Sequence, residues 1–154
     1  SNFLHGIPHF CISLALVCNK EIISGLVFDP IKNEIFYAEK NSGSFFNNHR
    51  IRVSKKSDLE ECLFGTNNHG VRNSNLNTRV SGSAALDLAY VASGRLDGFF
   101  QKNLNLWDIA AGVLIVGEAG GKTNLIDSSK IEKINLKASS INIYEKMVKK
   151  LDNF

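Results

Sequence analysis

No apolar run in this chain approaches the roughly 18 residues that a membrane-spanning helix needs. The best candidate, Ile109 to Val116, is short and is broken by Gly112. The opening Ser1-Asn2-Phe3-Leu4-His5 lacks a basic stretch running into an apolar one, so no secretory leader is expected there. Cysteine is scarce and odd in number: Cys11, Cys18 and Cys62 show neither a CxxC pair nor zinc-like spacing. That excludes a disulfide framework and makes a reducing, cytoplasmic setting the expectation. Charge of one sign is also lacking. The net value is +3, and the lysines near the C-terminus are spread as on a solvated helix face. Clustered arginines interleaved with aromatics, the footprint of a nucleic-acid surface, are absent, as is a P-loop lysine motif. There are no internal repeats and no low-complexity linker. What is present is ordinary for a folded domain: 154 residues, 44% hydrophobic and 21% charged.

Residues 12–17 alternate Ile-Ser-Leu-Ala-Leu-Val, a period-two pattern with one strongly apolar face. Asn19-Lys20 is placed to turn the chain into a second strand over 22–28. Asp29-Pro30 starts another turn, and strands follow over 34–39, 44–46 and 49–53, with Asn47-Asn48 as a tight hairpin. From Ser57 the pattern changes. A strand is expected within 59–65 and a polar loop over 66–77, with His69 exposed in it. A helix over 83–93 is marked by Ala85, Leu88, Ala89 and Ala92 and stopped by Gly94. A short strand is expected at 97–100 and a helix over 108–119, with Asp108 as its N-cap and Gly120-Gly121 as terminator. Strands at 122–126 and 137–141 precede a terminal amphipathic helix with Ile143, Met147 and Leu151 on one face. An antiparallel meander followed by alternating helices and strands predicts a mixed α/β fold. The expected division is 1–56, part of an antiparallel-sheet subdomain, and 57–154, an α/β subdomain.

Three segments could carry chemistry. In Trp107-Asp108-Ile109-Ala110-Ala111-Gly112 an acid sits at a helix start before small residues. It serves either as an ordinary cap or as a rigid carboxylate able to ligate a hard cation such as Mg²⁺. In Gly82-Ser83-Ala84-Ala85 a helix opens at a glycine and a hydroxyl, and its first N–H groups either are capped by Ser83 or bind an anion or a hydroxyl. His5 and His9 near the start have no complementary Cys, His or Asp cluster, so a neutral histidine hydrogen-bonded within the fold is expected. Asp87 and Glu118 read as structural partners, and no Ser-His-Asp triad is legible.

Taken together, these segments resemble the inositol monophosphatase family, and more closely its bacterial extragenic-suppressor (SuhB-type) branch. The family's first signature, D-P-[IL]-D-G-T-x-N-F followed by x-H-G-x-P, is matched from its x-N-F onward by Ser1 to Pro8. Its second, W-D-x-A-[AG]-G and then E-A-G-G, is matched by Trp107 to Gly112 and Glu118 to Gly121. Between them, Gly82 to Ala89, Val91 to Gly94 and Asp97 to Phe99 follow the bacterial members. The resemblance implies a layered α-β-α-β-α sandwich, here without its N-terminal helices and first metal motif. It implies that Asp108 ligates a metal and touches substrate, and that Gly82, Ser83 and Ala84 contact substrate hydroxyls. Gln101 stands where the family commonly has a glutamate that binds inositol hydroxyls, which leaves an acceptor but removes a charge.

The implied activity is Mg²⁺-dependent hydrolysis of inositol monophosphate or a similar sugar-phosphate monoester, by a cytoplasmic homodimer. The catalytic acids and threonine of that activity are expected upstream of Ser1 and none within the chain, so the chain alone is expected to be inactive. A shortened stretch is also expected near 67–77, where relatives carry a further helical segment. The alternative implied by the same branch is a non-catalytic factor that binds RNA or the transcription machinery.

Overall fold

Asparagine-rich turns and apolar alternation fold the first third into a meander. The computed structural model describes residues 1–67, 75–125 and 128–151. After a one-turn helix at Phe3–His5, strands β1 (Ile12–Cys18), β2 (Glu21–Asp29), β3 (Glu34–Glu39), β4 (Gly43–Phe46) and β5 (His49–Arg50) pair antiparallel in sequence order. The β1–β2 and β4–β5 turns place both central residues at positive φ: Asn19 and Lys20 in one, Asn47 and Asn48 in the other. Left-handed pairs of this kind match the twist of hairpin strands.

The second sheet is mixed, in the order β7-β6-β8-β10-β9. It comprises β6 (Leu63–Gly65), β7 (Asn77–Arg79), β8 (Gly98–Leu104), β9 (Gly121–Thr123) and β10 (Ile134–Ser140). Strand β6 runs parallel to both β7 and β8, while β10 is antiparallel to β8 and β9. Helices α1 (Ala84–Ala92) and α2 (Leu106–Glu118) lie between the two sheets, and α3 (Ile141–Lys150) covers the far face of the second. The layers therefore run sheet, helices, sheet, helix, the sandwich expected from the resemblance without its outermost helical layer. The expected loop over 66–77, and His69 with it, lies largely outside the described residues.

One core joins the first sheet, α1, α2 and the second sheet, with Val27, Phe36, Leu86, Leu88, Ile109, Ile115 and Leu136 wholly buried. A second, smaller core gathers Cys62, Phe64 and Phe100 under Ile143, Tyr144, Met147 and Leu151 of the last helix and its end. Because α2 is enclosed by both sheets and α1, it is apolar nearly all round, as a fully enclosed helix must be. Its small residues make the close approach possible. A Cβ on Gly25 of β2 would lie 2.9 Å from the Cα of Ala111, and one on Gly112 would lie 2.6 Å from the Cβ of Leu88.

The strongly apolar face of β1 points away from this core. Cross-strand register puts Leu14, Leu26, Tyr37 and Phe45 in one row, and Ile12, Phe28 and Ile35 in another, on the outer face of the sheet. Leu14 is 62% exposed. The inner face of the same strands carries Ser13, Ala15 and Gly25, small enough to admit α2.

Several expected boundaries move: β5 stops at Arg50, β8 runs on to Leu104, β9 covers Gly121–Thr123, a strand not expected from sequence starts at Asn77, and α2 and β10 are shifted. Helix α2 begins at Leu106 with extended Asn105 at the N-cap, so Asp108 lies in its first turn and is not the cap. The Asn105 side chain makes no capping hydrogen bond, but the N–H of Leu106, otherwise orphaned, donates to the carbonyl of Ile131 at 2.8 Å, which stabilises the earlier start. Strand β10 starts and ends earlier than 137–141, because Ile141 already opens α3.

Candidate active site

The segment before β1, the start of α1, strand β8 and the start of α2 converge on one cleft of about 380 Å³. Its lining includes Gly82, Ser83 and Ala84, together with Gln101 and Asp108, so the five residues singled out from sequence share one cavity. Asp108 is the one carboxylate in that lining.

Each wall has a local reason. Ser83 caps α1: it is extended at φ −139°, and its Oγ accepts from the N–H of Leu86 at 3.4 Å. Gly82 before it has φ +84°, a left-handed conformation that side chains other than glycine's rarely adopt, and this lets the chain turn sharply into the helix. The amide of Asn2 ties the N-terminal segment to this turn by donating to the carbonyls of Ser81 at 3.0 Å and His9 at 2.7 Å. On the opposite wall, the first turn of α2 presents Asp108 at the positive end of the helix dipole. Its Oδ2 accepts from the side-chain amide of Asn105 at 3.4 Å, a long contact that orients the carboxylate without enclosing it. Trp107 stands on the rim, 59% exposed.

Sequence reasoning passed over several residues of the lining, Asn2 and Cys11 among them. Asn2 was visible only as a letter of the first signature. Cys11, whose Sγ lies 3.7 Å from the Ser83 Oγ, follows a stretch with no recognisable pattern. Burial pushes its thiol pKa upward, partly offset by the Ser83 hydroxyl, so it sits in the cleft as a neutral group. His9 also lines the cleft, and burial, reinforced by the positive charge of Lys32, lowers its pKa and keeps it neutral. The expectation of a hydrogen-bonded imidazole needs correction: its buried Nε2 has no hydrogen-bond partner among the described residues. The His9 ring lies 6.2 Å from that of Tyr90, centroid to centroid. Glu118, at the far end of α2, is a structural partner, accepting from the N–H groups of Asn41 and Gly43 at 2.8 Å each.

For Mg²⁺ the donor set is partial. Among the described residues no group of three or more His, Cys, Asp or Glu side chains could hold a metal ion. A single carboxylate oxygen donor does suit Mg²⁺, which takes one or two protein carboxylates and completes its shell with phosphate oxygens and water. Asp108 thus fits as one ligand of a shared ion and does not make a site alone. No helix among the described residues is long and apolar enough to cross a membrane.

Comparison with known proteins gives this architecture a family. A model described as the inositol monophosphatase family matches residues 1–153. An inositol-1-monophosphatase of Rhizobium meliloti is 45% identical over 136 residues, covering 79% of this chain and 51% of the relative. A Nus factor SuhB of Xylella fastidiosa is 41% identical over 136 residues, covering 79% and 50%. The chain therefore spans about half the length of these curated relatives. The crystal structure of the extragenic suppressor protein suhB from Bartonella henselae superposes with a TM-score of 0.90 at 43% identity, over 98% of this chain and 68% of that one.

Proposed function

This chain belongs to the inositol monophosphatase family, and we propose that it forms the substrate-positioning wall of a Mg²⁺-dependent phosphatase acting on inositol monophosphate or a similar sugar-phosphate monoester. The observation that supports this reading is the cleft itself, where Asp108 lies in one cavity with the Gly82-Ser83-Ala84 turn and Gln101. In this reading the Asp108 carboxylate serves as one oxygen ligand of Mg²⁺ and accepts from a substrate hydroxyl. The start of α1 faces the same ligand with its N-terminal dipole and the Ser83 hydroxyl. Gln101 offers an amide oxygen to ring hydroxyls and an N–H₂ to a phosphate or hydroxyl oxygen, so it discriminates less by charge than a glutamate would. When bound, the metal would stabilise negative charge on the phosphoryl and leaving-group oxygens. The remaining acids of such a site would come from sequence outside these 154 residues, which leaves the chain alone inactive.

The test is phosphate release from inositol 1-phosphate with Mg²⁺ by a polypeptide that carries this chain and the family's D-P-x-D-G-T motif. Asp108→Asn should lower kcat/KM by about a hundredfold or more, the scale of losing a charged group at a reacting centre, while circular dichroism stays unchanged. Unaltered turnover would overturn the role given to Asp108. Mg²⁺-dependent turnover by the 154-residue chain itself would overturn its proposed inactivity.

A second reading is supported by the 41% identity to a protein named Nus factor SuhB. Here the same chain would be a binding factor for RNA or the transcription machinery, whose cellular role survives Asp108→Asn. Complementation by that variant distinguishes the two readings, since a phosphatase would lose activity and role together.

A further inference from the structure

Strand β8 alternates its side chains between the two cores. Phe99 packs in the core that holds α1 and α2, and Phe100 packs in the one under α3. Gln101 therefore returns to the Phe99 side, where its cross-strand neighbour Leu136 belongs to the same core. Leu136 is wholly buried, whereas Gln101 is half-buried and lines the cleft. The strand thus carries an amide from the edge of the core to the cleft wall. Among the described residues that amide has no hydrogen-bond partner. The other side-chain amide in the lining, that of Asn2, is engaged with the carbonyls of Ser81 and His9. Gln101 is the amide left to meet a ligand, with two N–H donors and an oxygen acceptor.

Charge decides what that ligand can carry. Asp108 is the one carboxylate in the lining, and no lysine or arginine side chain joins it. In the reading given above, Mg²⁺ offsets the Asp108 charge. The side chains that remain on the walls are then neutral, while α1 and α2 both open on the cleft with their positive ends. A carboxylate at position 101 would repel a second anionic group on the substrate, whereas the amide donates to one. We propose that Gln101 is a specificity-determining residue that admits a second anionic group, a carboxylate or a further phosphate, on the phosphate monoester. The proposal rests on reading the cleft as a phosphate-monoester site.

The experiment measures kcat/KM with Mg²⁺ for glucose 1-phosphate, glucuronic acid 1-phosphate and glucose 1,6-bisphosphate, on the polypeptide that carries this chain and the D-P-x-D-G-T motif. Inositol 1-phosphate is the reference for turnover itself. The wild type should turn over at least one doubly anionic sugar within about tenfold of glucose 1-phosphate, or better. Gln101→Ala should lower that ratio by about tenfold, the scale of one hydrogen bond to a charged group. Gln101→Glu, which keeps the shape, should lower it by about a further tenfold or more, since it loses the donor and adds a like charge. A wild type poorer by more than about tenfold on both doubly anionic sugars overturns the proposal. So does a Gln101→Glu ratio no lower than that of Gln101→Ala. Either result leaves turnover of inositol 1-phosphate, and the phosphatase reading with it, standing. If no monoester is turned over, that reading fails, and the Gln101 side-chain amide signals in NMR spectra of the 154-residue protein decide. They should shift more with glucose 1,6-bisphosphate than with glucose 1-phosphate, and equal or absent shifts overturn the proposal.

Discussion

Gly112→Ala is a one-carbon change whose outcome the packing decides. In a solvent-facing helix the substitution would stabilise by about 1 kcal/mol, because alanine loses less backbone freedom than glycine. In α2 the new Cβ would stand 2.6 Å from the Cβ and 2.7 Å from the Cδ1 of Leu88, a residue with no solvent exposure. The Cβ of Leu88 is fixed to the backbone of α1, so relief requires the two helices to separate. Overpacking of this kind costs about 1–3 kcal/mol, and contact with so rigid an atom argues for the upper part of that range. The net expectation is destabilisation by about 1–2 kcal/mol, or a Tm lower by about 3–6 °C for a chain of this size. Leu88→Ala alone should cost about 2–5 kcal/mol. The double variant should cost less than the sum of the two by about 1 kcal/mol or more, because the shortened side chain gives up part of the clash. Urea melts of the wild-type protein and the three variants measure all of these. A Gly112→Ala variant as stable as the wild type, or more so, would refute the reasoning.

Asp87 gives a prediction with a definite sign. Burial pushes its carboxyl up to about 7, well above the usual carboxylate range, so the folded state holds the proton longer. The burden of the buried charge is absent below the unfolded value and grows as pH rises through the window from about 4 to about 7. Asp87→Asn never carries that charge, so its stability should gain on the wild type by about 3 kcal/mol between about pH 4.5 and about pH 8. Parallel stability curves for the two proteins would contradict this. The outer sheet face gives another: the 154-residue chain alone should self-associate through its exposed apolar rows and edge strand, and Leu14→Lys should shift it toward monomer in sedimentation velocity. A wild-type chain that sediments as a monomer at all concentrations would contradict that.

Most of the fold was legible because period-two and period-3.6 patterns survive in the composition of each element. The Asn19-Lys20 and Asn47-Asn48 turns, the Ser83 cap and the Gly94 stop all follow from local chemistry, and the structure has them. Which way β1 faces was not legible. Its large residues look like a core face, yet Ile12, Leu14 and Leu16 point outward, and the core contact is made by small residues that carry little hydrophobic signal. The start of α2 was set by a distant partner, the Ile131 carbonyl, which no local pattern can show. Of the cleft, the residues on helix starts were visible as motifs. Asn2 and Cys11 were not, because each acts through a contact made far along the chain.

Helix α2 is indexed against both of its neighbours at once, by Ala111 on Gly25 and by Gly112 on Leu88. Sliding it by a single position would advance it about 1.5 Å and turn it about 100°, setting Val113 against Leu88 in one direction and the Cβ of Ala111 there in the other. The carboxylate at its mouth therefore inherits its place from two layers of the molecule. Drift in either layer would be resisted by the other, and a ligand arriving at Asp108 would meet a group that is already aimed.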